Sequence, residues 1–452
     1  MENTRRLAVE KPIRLLLQFS IPAIVGMLVS ALYGVIDRIF IGKAVGSIGI
    51  AGITVAFPIM IFQFAFGLLI GVGGTALVSI RLGEKRQRDA LEIVGNAFVL
   101  MIITSVVVAA LGLILRDPML RLFGASAQVL PYARDFVTVI LLGSPFITAS
   151  LGMNNFIRAE GKPGKAMASM LIGTVLNLIL APIFLFVFKW GMRGAAWATV
   201  LAQLVSFLWV ISHFLRGDSL LRLQKPCMRL RAATIKSIVT IGLPPFFHQI
   251  AVCILTIVLN KSLEHYGGDT AVSGMGAVIT ILLLIVLPIA GISQGSQPII
   301  GYNYGARNFD RVREVLWLAI LAGSSIAVVG WLCIQFLPTP LIALFAKNDP
   351  AFVAFGSHAL RVFSALIFVA GFQVVGANYF QAIGKPLASM FLTLSRQVII
   401  LIPAILILGW LFGVNGVLVA GPLSDAGASI LTAIWLIREM RSLREQHEAT
   451  AG

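Results

Sequence analysis

The apolar stretch IRLLLQFSIPAIVGMLVSALYGVIDRIFI, residues 13–41, decides the fold class of this chain. A helix that crosses the hydrocarbon core of a bilayer needs about 20 predominantly apolar residues, and this stretch exceeds that length. It is also too long for the apolar region of a cleaved signal peptide, so we predict a retained helix. A barrel strand would need only about 10 residues of alternating polarity, and that alternation is missing.

The composition extends this interpretation to the whole chain. Of its 452 residues, 58% are hydrophobic and 12% are charged, whereas a soluble domain typically has about 25% charged residues. The mean hydropathy is +0.94. These values disfavour a soluble enzyme and a disordered protein, and they favour a polytopic membrane protein whose partners include membrane lipids. The net charge of +16 comes from single basic residues between apolar stretches, so we expect no nucleic acid partner.

Applied along the chain, the length rule predicts an all-α protein with twelve transmembrane helices. The candidate spans begin near residues 14, 52, 91, 133, 165, 194, 237, 271, 312, 352, 387 and 414. With the N-terminus placed in the cytoplasm, 24 Lys and Arg fall on the cytoplasmic side and 9 on the outer side. Because cytoplasmic loops are enriched in Lys and Arg, we expect both termini inside.

An internal duplication organises these spans. Pro22 recurs as Pro244, at an offset of 222, and the GKP tripeptide at 161–163 recurs at 384–386, at an offset of 223. Six spans per half predict two parallel lobes related by a pseudo-twofold axis along the membrane normal. The expected domains are an N-lobe at 1–215, a basic cytoplasmic linker at 216–236, a C-lobe at 237–440 and a cytoplasmic tail at 441–452.

Three stretches carry a resemblance to a known family. They are YGVIDRIFIG at 33–42, PIIGYNYGAR at 298–307, and SRQ at 395–397 followed by Pro403. The chain resembles, over essentially its whole length, the multidrug and toxic compound extrusion (MATE) family, in its bacterial MepA-like branch. The resemblance implies export of organic cations against inward H⁺ or, as a weaker alternative, Na⁺, by a protein of the bacterial cytoplasmic membrane. It implies no enzyme activity, and we expect a monomer without a cofactor or a bound metal.

Asp37 is the leading candidate for ion coupling, because a carboxylate in hydrocarbon is costly unless it is paired, hydrated or neutral. Tyr33 lies one helical turn away on the same face. The resemblance places the coupling carboxylate at Asp37 and a polar partner at Asn177. Where the family often has a second acid, this chain has Ala181. A surface Asp paired with a basic residue is the alternative.

Two further groups of residues complete the first-half prediction. Thr199 and Gln203 could hydrogen-bond Asp37, although a role as helix–helix contacts is equally compatible with the sequence. Pro22 lies in the same helix as Asp37 and permits a kink, which we interpret as helix-bending or as a static kink.

We expect His213, near a span end, to be interfacial or solvated.

The second half has a different set of polar candidates. Arg396 and Asp425 lie at similar predicted depths, about 13 and 14 Å from the inner face, so we predict an ion pair. It could be a structural clamp or take part in coupling. His248 and Gln249 are further C-lobe candidates, with packing as the alternative role. The absence of acids early in the predicted seventh helix disfavours a sodium site there.

Other function classes remain as alternatives. A flippase or exporter of a lipid-linked or amphipathic metabolite could use the same architecture, but it should carry several cations in its cavity. Only Arg361 and Arg396 are predicted inside spans. A membrane enzyme would need a cluster of catalytic residues at one depth, and none is visible. A channel would more often be a symmetric oligomer than a duplicated chain.

Overall fold

The computed structural model describes residues 2–216, 219–345 and 349–451. The described residues are almost entirely helical, and their α-helices are α1 (Glu2–Val9), α2 (Pro12–Val45), α3 (Ser47–Gly83), α4 (Gln87–Leu122), α5 (Leu130–Leu142), α6 (Ser144–Ala159), α7 (Pro163–Pro182), α8 (Gly191–Leu215), α9 (Ala232–Gly305), α10 (Phe309–Phe336), α11 (Pro338–Ala343), α12 (Pro350–Phe363), α13 (Ala370–Ala382), α14 (Pro386–Leu394) and α15 (Ile402–Ala451). Two π-helical segments, Ile183–Val187 and Ser395–Leu401, continue α7 and α14.

These helices make twelve membrane spans. Eight helical segments of the described chain are long and apolar enough to cross a membrane, and two bent pairs add one span each. Two of the eight contain a break, at Gly268 inside α9 and at Gly413 inside α15, and each is therefore two spans. The count is 8 + 2 + 2 = 12, so the predicted all-α polytopic fold is confirmed.

The fourth and tenth spans are bent, which the sequence did not indicate. The α5–α6 pair bends by 57°, and the pair formed by α12 and residues 367–382 bends by 47°. In the first pair, Ser144 and Pro145 begin a new helix directly after Gly143. Proline is favoured at that position, because it lacks the backbone N–H that an ongoing helix would need.

The described chain divides into two compact units. The first contains Val25–Gln249 together with the N-terminal residues up to Val9, and the second contains Glu10–Ile24 and the chain from Ile250 onward. The division therefore passes through α2 just after Pro22 and through α9 just after Pro244. The lobe boundaries predicted from the sequence stay predictions.

The first part of α9, up to Gln249, belongs to the first unit, and residues 12–24 of α2 belong to the second. Glycines allow each of these segments to pack closely within its unit. In the first unit, a Cβ on Gly73 would lie 2.2 Å from the carbonyl oxygen of Ile238, in the first part of α9. In the second unit, a Cβ on Gly295 would lie 2.7 Å from the backbone nitrogen of Ser20, in α2. Because 73 + 222 = 295, the same close helix contact occurs in both halves, as expected of small residues between membrane helices.

Two segment boundaries differ from the sequence expectation. α9 begins at Ala232, inside the predicted linker 216–236, and α15 continues through the predicted tail to Ala451. The linker is also ordered onto α4, because the Asn96 side chain donates to the carbonyls of Cys227 and Arg229 and accepts from the Arg231 amide. Residues 1, 217–218 and 452 of the predicted lobe, linker and tail lie outside the described residues.

Candidate functional site

A chain of hydrogen bonds joins three helices of the first unit beside Asp37. The Tyr33 hydroxyl of α2 lies 3.4 Å from Thr199 Oγ1 of α8, and Asn177 Nδ2 of α7 donates to the same Oγ1 at 3.0 Å. Thr199 in turn donates to the carbonyl of Ala195 at 3.2 Å. Asp37 follows Tyr33 by four residues, so both side chains lie on one face of α2.

Two acceptor oxygens at this site have no donor. Asp37 Oδ1 and Asn177 Oδ1 are both buried, and neither has a hydrogen-bond partner within the described part of the chain. A buried polar atom without a partner costs about 1–3 kcal/mol, and more when it is charged. A proton or a small cation would satisfy these oxygens, so the site is chemically suited to bind one.

The neighbouring basic residue does not neutralise Asp37. Arg38 directs its guanidinium toward the Phe57 ring, with Cζ 6.0 Å from the ring centroid. Among the described residues, no basic side chain lies within 4.0 Å of the Asp37 carboxylate. The alternative in which Asp37 is a surface acid paired with a cation therefore finds no support in the geometry.

Gln203 stands apart from this hydrogen-bond chain. It lies on α8 one turn after Thr199, and its Nε2 would be 3.6 Å from a Cβ built on Gly173. Pro22 lies within α2, which continues helically through it. The hydrogen bond from Gln203 to Asp37 that the sequence allowed is not formed among the described residues.

The second unit holds the predicted ion pair. Arg396 Nε donates to Asp425 Oδ1 at 2.7 Å, and the Asp425 side chain is 5% exposed. Arg396 lies in the π-helical segment Ser395–Leu401, where the wider turn displaces side chains relative to an α-helix. His248 and Gln249 are half-buried in α9 and group with the first unit rather than with this pair. Their roles stay predictions.

A buried acid–histidine pair was missed from the sequence. Glu160 follows α6 and is fully buried, and His213 Nε2 of α8 lies 2.5 Å from its Oε2. The expectation that His213 is solvated is wrong, since the residue is only 7% exposed, whereas its expected interfacial position, near the end of α8, stays a prediction. The spacing of 53 residues gave no signal, because only the packing of α6 beside α8 brings the two together.

The Glu160 carboxyl is stabilised in its charged form. Burial raises its pKa, but hydrogen bonds from His213 and the Leu220 amide, with the charges of His213 and Lys162, outweigh burial. The pKa of Glu160 therefore lies below its usual range. Elsewhere, no group of three or more His, Cys, Asp or Glu in the described residues is placed to hold a metal ion.

Comparison with known proteins assigns the family. A family model described as MatE matches this chain twice, over residues 22–183 and 244–407. The chain belongs to the MatE family. The two matches begin 244 − 22 = 222 residues apart, which confirms the internal duplication. MatE proteins are multidrug efflux transporters and not enzymes, so the chain is a membrane transporter.

Individual relatives agree with this assignment over nearly their full length. The chain is 27% identical to "Multidrug export protein MepA" of Staphylococcus haemolyticus (strain JCSC1435), over 94% of this chain and 93% of that protein. It is 37% identical to the MATE multidrug transporter DinF-BH, solved in complex with R6G, with a TM-score of 0.89 and 96% of both chains covered. A MATE structure in complex with MaL6 is 25% identical, with a TM-score of 0.92 over 97% of this chain and 99% of that one.

Proposed function

We propose that this protein exports organic cations in exchange for inward protons, by alternating access. It is a secondary antiporter in which Asp37 is the residue that carries the coupling proton. Tyr33, one helical turn from Asp37, and its hydrogen-bonded neighbours Asn177 and Thr199 supply the polar surroundings of that carboxyl. The transported ion takes the place of a cofactor, and the protein works as a monomer.

The unpartnered oxygen of Asp37 is the observation that carries this proposal. A carboxylate within a membrane span is costly when no donor or cation faces it. Adding a proton removes the charge and turns an acceptor into a donor. The energy of the site therefore depends on proton occupancy, as coupling requires.

The helix that carries Asp37 also offers a way to transmit its charge state. Pro22 precedes Asp37 by fifteen residues in α2 and lacks the N–H that would bond to residue 18. A helix with one missing backbone bond bends with less resistance than an intact one. In our proposal, protonation of Asp37 changes the bend of α2 at Pro22 and thereby narrows the substrate cavity that alternating access requires in the predicted N-lobe, residues 1–215.

The cargo class is inferred from composition and from relatives. The chain has 29 Phe, 7 Trp and 6 Tyr, and aromatic faces attract lipophilic cations. The MepA proteins are named multidrug exporters, and DinF-BH is described as a multidrug transporter. A flippase of anionic lipid-linked substrates would need several free intramembrane cations. Of the two that the sequence predicts, Arg396 is paired with Asp425, which leaves Arg361 alone.

The proposed location is the cytoplasmic membrane of a bacterium, with both termini in the cytoplasm. The 24-to-9 distribution of Lys and Arg supports this orientation. Sodium is the second candidate for the coupling ion. The oxygens of Tyr33, Asp37, Asn177 and Thr199 are ligands of the kind that a hard cation prefers, although they offer a single negative charge.

Reconstituted protein distinguishes the two ions. Dye efflux is measured from proteoliposomes under an imposed pH gradient without sodium, and separately under a sodium gradient at equal pH. We expect efflux to follow the pH gradient. Efflux that responds only to sodium would contradict the proton assignment.

A pair of variants tests the role of Asp37 itself. Asp37→Asn keeps the size of the side chain but cannot ionise, so it should lose gradient-driven efflux. Glu264→Gln is the matched control, because Glu264 is an exposed acid in α9 with no part in the site. Wild-type efflux by Asp37→Asn at equal expression would contradict the mechanism.

A further inference from the structure

A basic cavity lies at one end of the α7–α8 pair, away from Asp37. It has a volume of about 100 Å³, is partly open to the surroundings, and is lined by Lys165, Trp209, Ser212, His213 and Arg216. Lys165 comes from the start of α7, and the other four come from the last two turns of α8 and its cap. The lining combines two permanent cations, an indole N–H, a hydroxyl and an imidazole.

The polarity of α8 changes along the stripe that leads into this cavity. Val205, Trp209, Ser212 and Arg216 follow one another at spacings of three or four residues and therefore lie on one face of the helix. Val205 is 40% exposed and Trp209 is 42% exposed, so this face of the membrane helix is open to contact with lipid. The order apolar, aromatic, hydroxyl, cation matches the order of acyl chain, interface and headgroup in a bilayer.

Among the residues that the structure describes, no acid neutralises the two cations of the cavity. Lys165 and Arg216 are exposed, and neither forms a salt bridge within the described ranges. Within the described ranges, the acid that contacts the lining is Glu160, which is hydrogen-bonded to His213. Its oxygens are already engaged by His213, by the Leu220 amide and by Lys162, so it does not cancel the charge of the cavity.

The internal duplication shows that the fold does not need these residues. The positions equivalent to Lys165, Trp209, Ser212 and His213 in the second half are occupied by Ala388, Leu431, Ile434 and Trp435. Only Arg216 has a basic equivalent, and that residue is Arg438. The same helix pair therefore forms without the polar lining, so packing alone does not explain why the first half carries it.

We propose that this cavity binds the headgroup phosphate of an anionic phospholipid. Lys165 and Arg216 bind the phosphate oxygens, the Trp209 ring lies at the interface, and one acyl chain follows the exposed apolar face of α8 past Val205. Cationic pockets at the ends of membrane helices are suited to anionic headgroups. The exposed apolar face beside the cavity favours a lipid over free phosphate, which has no chain to place there.

Native mass spectrometry of the purified, delipidated full-length protein tests this site. The probe is phosphatidylglycerol, compared with phosphatidylcholine of the same acyl chains. We expect the double variant Lys165→Gln/Arg216→Gln to weaken phosphatidylglycerol binding by about 25-fold, since each basic residue near an anionic surface contributes about fivefold. Trp209→Leu, which introduces the second-half residue, should weaken it less because both charges remain.

Arg438→Gln is the matched control, because it removes the equivalent charge from the half without the cavity. We expect it to leave phosphatidylglycerol binding unchanged. Equal losses in Arg438→Gln and the double variant would overturn the proposal, as would undiminished binding by the double variant. Displacement of the lipid by millimolar inorganic phosphate would show a free-anion site instead. Size-exclusion profiles and dye efflux, expected to be retained, show that each variant is folded.

Discussion

The two halves of the duplicated chain share most of their backbone but not their chemistry, and Ser395–Leu401 is π-helical where the equivalent residues 172–178 are α-helical. Residues with positive φ recur at the repeat offset, and the pairs are Gly46 with Gly268, Lys85 with Arg307, Gly161 with Gly384 and Gly191 with Gly413. The bends in the fourth and tenth spans recur as well. By contrast, the positions equivalent to Tyr33, Asp37 and Thr199 are Leu255, Leu259 and Gly421.

The second half places its own charges elsewhere. Asp425 is the equivalent of Gln203, and Arg396 is the equivalent of Gly173 at the offset of 223 that the GKP tripeptides define. In the first half, Gln203 lies beside Gly173, and in the second half Arg396 and Asp425 form an ion pair at the same place. The shared backbone therefore presents a titratable site in one half and a neutralised pair in the other.

Moving the carboxylate between the halves tests this asymmetry and has the largest expected effect. In an Asp37→Asn background, Leu259→Asp restores an acid at the equivalent position but without Tyr33, Asn177 and Thr199 around it. We expect gradient-driven dye efflux in proteoliposomes to stay at least about tenfold below wild type, in the range that loss of a required acid–base group produces. Restored efflux would show that the hydrogen-bond chain is dispensable.

The next largest effect is expected when the Arg396–Asp425 pair is replaced by the equivalent residues of the first half. Asp425→Gln alone leaves Arg396 without its partner and should cost about 2–3 kcal/mol, less than a fully buried pair because Arg396 is 28% exposed. The double variant Arg396→Gly/Asp425→Gln should recover most of that loss, because it reproduces the Gly173–Gln203 arrangement. Thermal unfolding in detergent measures both, and a double variant less stable than Asp425→Gln would contradict the equivalence.

The repeated glycine contact predicts matched losses in both units. Gly73→Ala and Gly295→Ala each place a methyl group against backbone, so both should destabilise by about 1–3 kcal/mol. Gly73→Ala should be the worse, since its methyl would meet an oxygen at 2.2 Å and that of Gly295 would meet a nitrogen at 2.7 Å. Gly276→Ala, with open space around the new methyl, is the control. Similar unfolding temperatures for all three would refute the contact.

The smallest expected effect concerns acid stability. The position equivalent to Glu160 in the second half is Ile383, so only the first half has this charge. Because the pKa of Glu160 is lowered on folding, its contribution is complete above the unfolded pKa of about 4.3 and is lost as pH falls through the folded value. The unfolding temperature of wild type should exceed that of Glu160→Gln at pH 7, with the gap closing below pH 4.

Much of the architecture follows from sequence because its causes are local. Hydrophobic length gave the twelve spans, and the offset of Pro22 and Pro244 gave the duplication that the two MatE matches confirm. The Arg396–Asp425 pair was also predictable, since helix rise alone places both residues at one depth. The bends at Gly143 and between α12 and α13 were not predicted, because a straight and a bent span have the same length of apolar sequence.

For the candidate site, the sequence predicted the residues but not which of them form hydrogen bonds with one another. Asp37 stands out because an acid inside an apolar run is rare, and Asn177 and Thr199 are polar residues on neighbouring spans. Only the packing of three helices shows that Thr199 joins Tyr33 to Asn177 while Gln203 turns toward Gly173. Which of several polar side chains meet depends on helix rotation, and a rotation of one residue is about 100°.

The order of apolar and basic residues by itself determined that this protein is a duplicated twelve-helix membrane protein, because the thickness of the bilayer sets span length without reference to tertiary contacts. Tertiary structure alone decided that Glu160 pairs with His213, that residues 10–24 group with the second half and residues 232–249 with the first, and that Asp37 keeps an oxygen without a donor. Those outcomes depend on side chains distant in sequence, whose meeting is fixed only when the helices have packed.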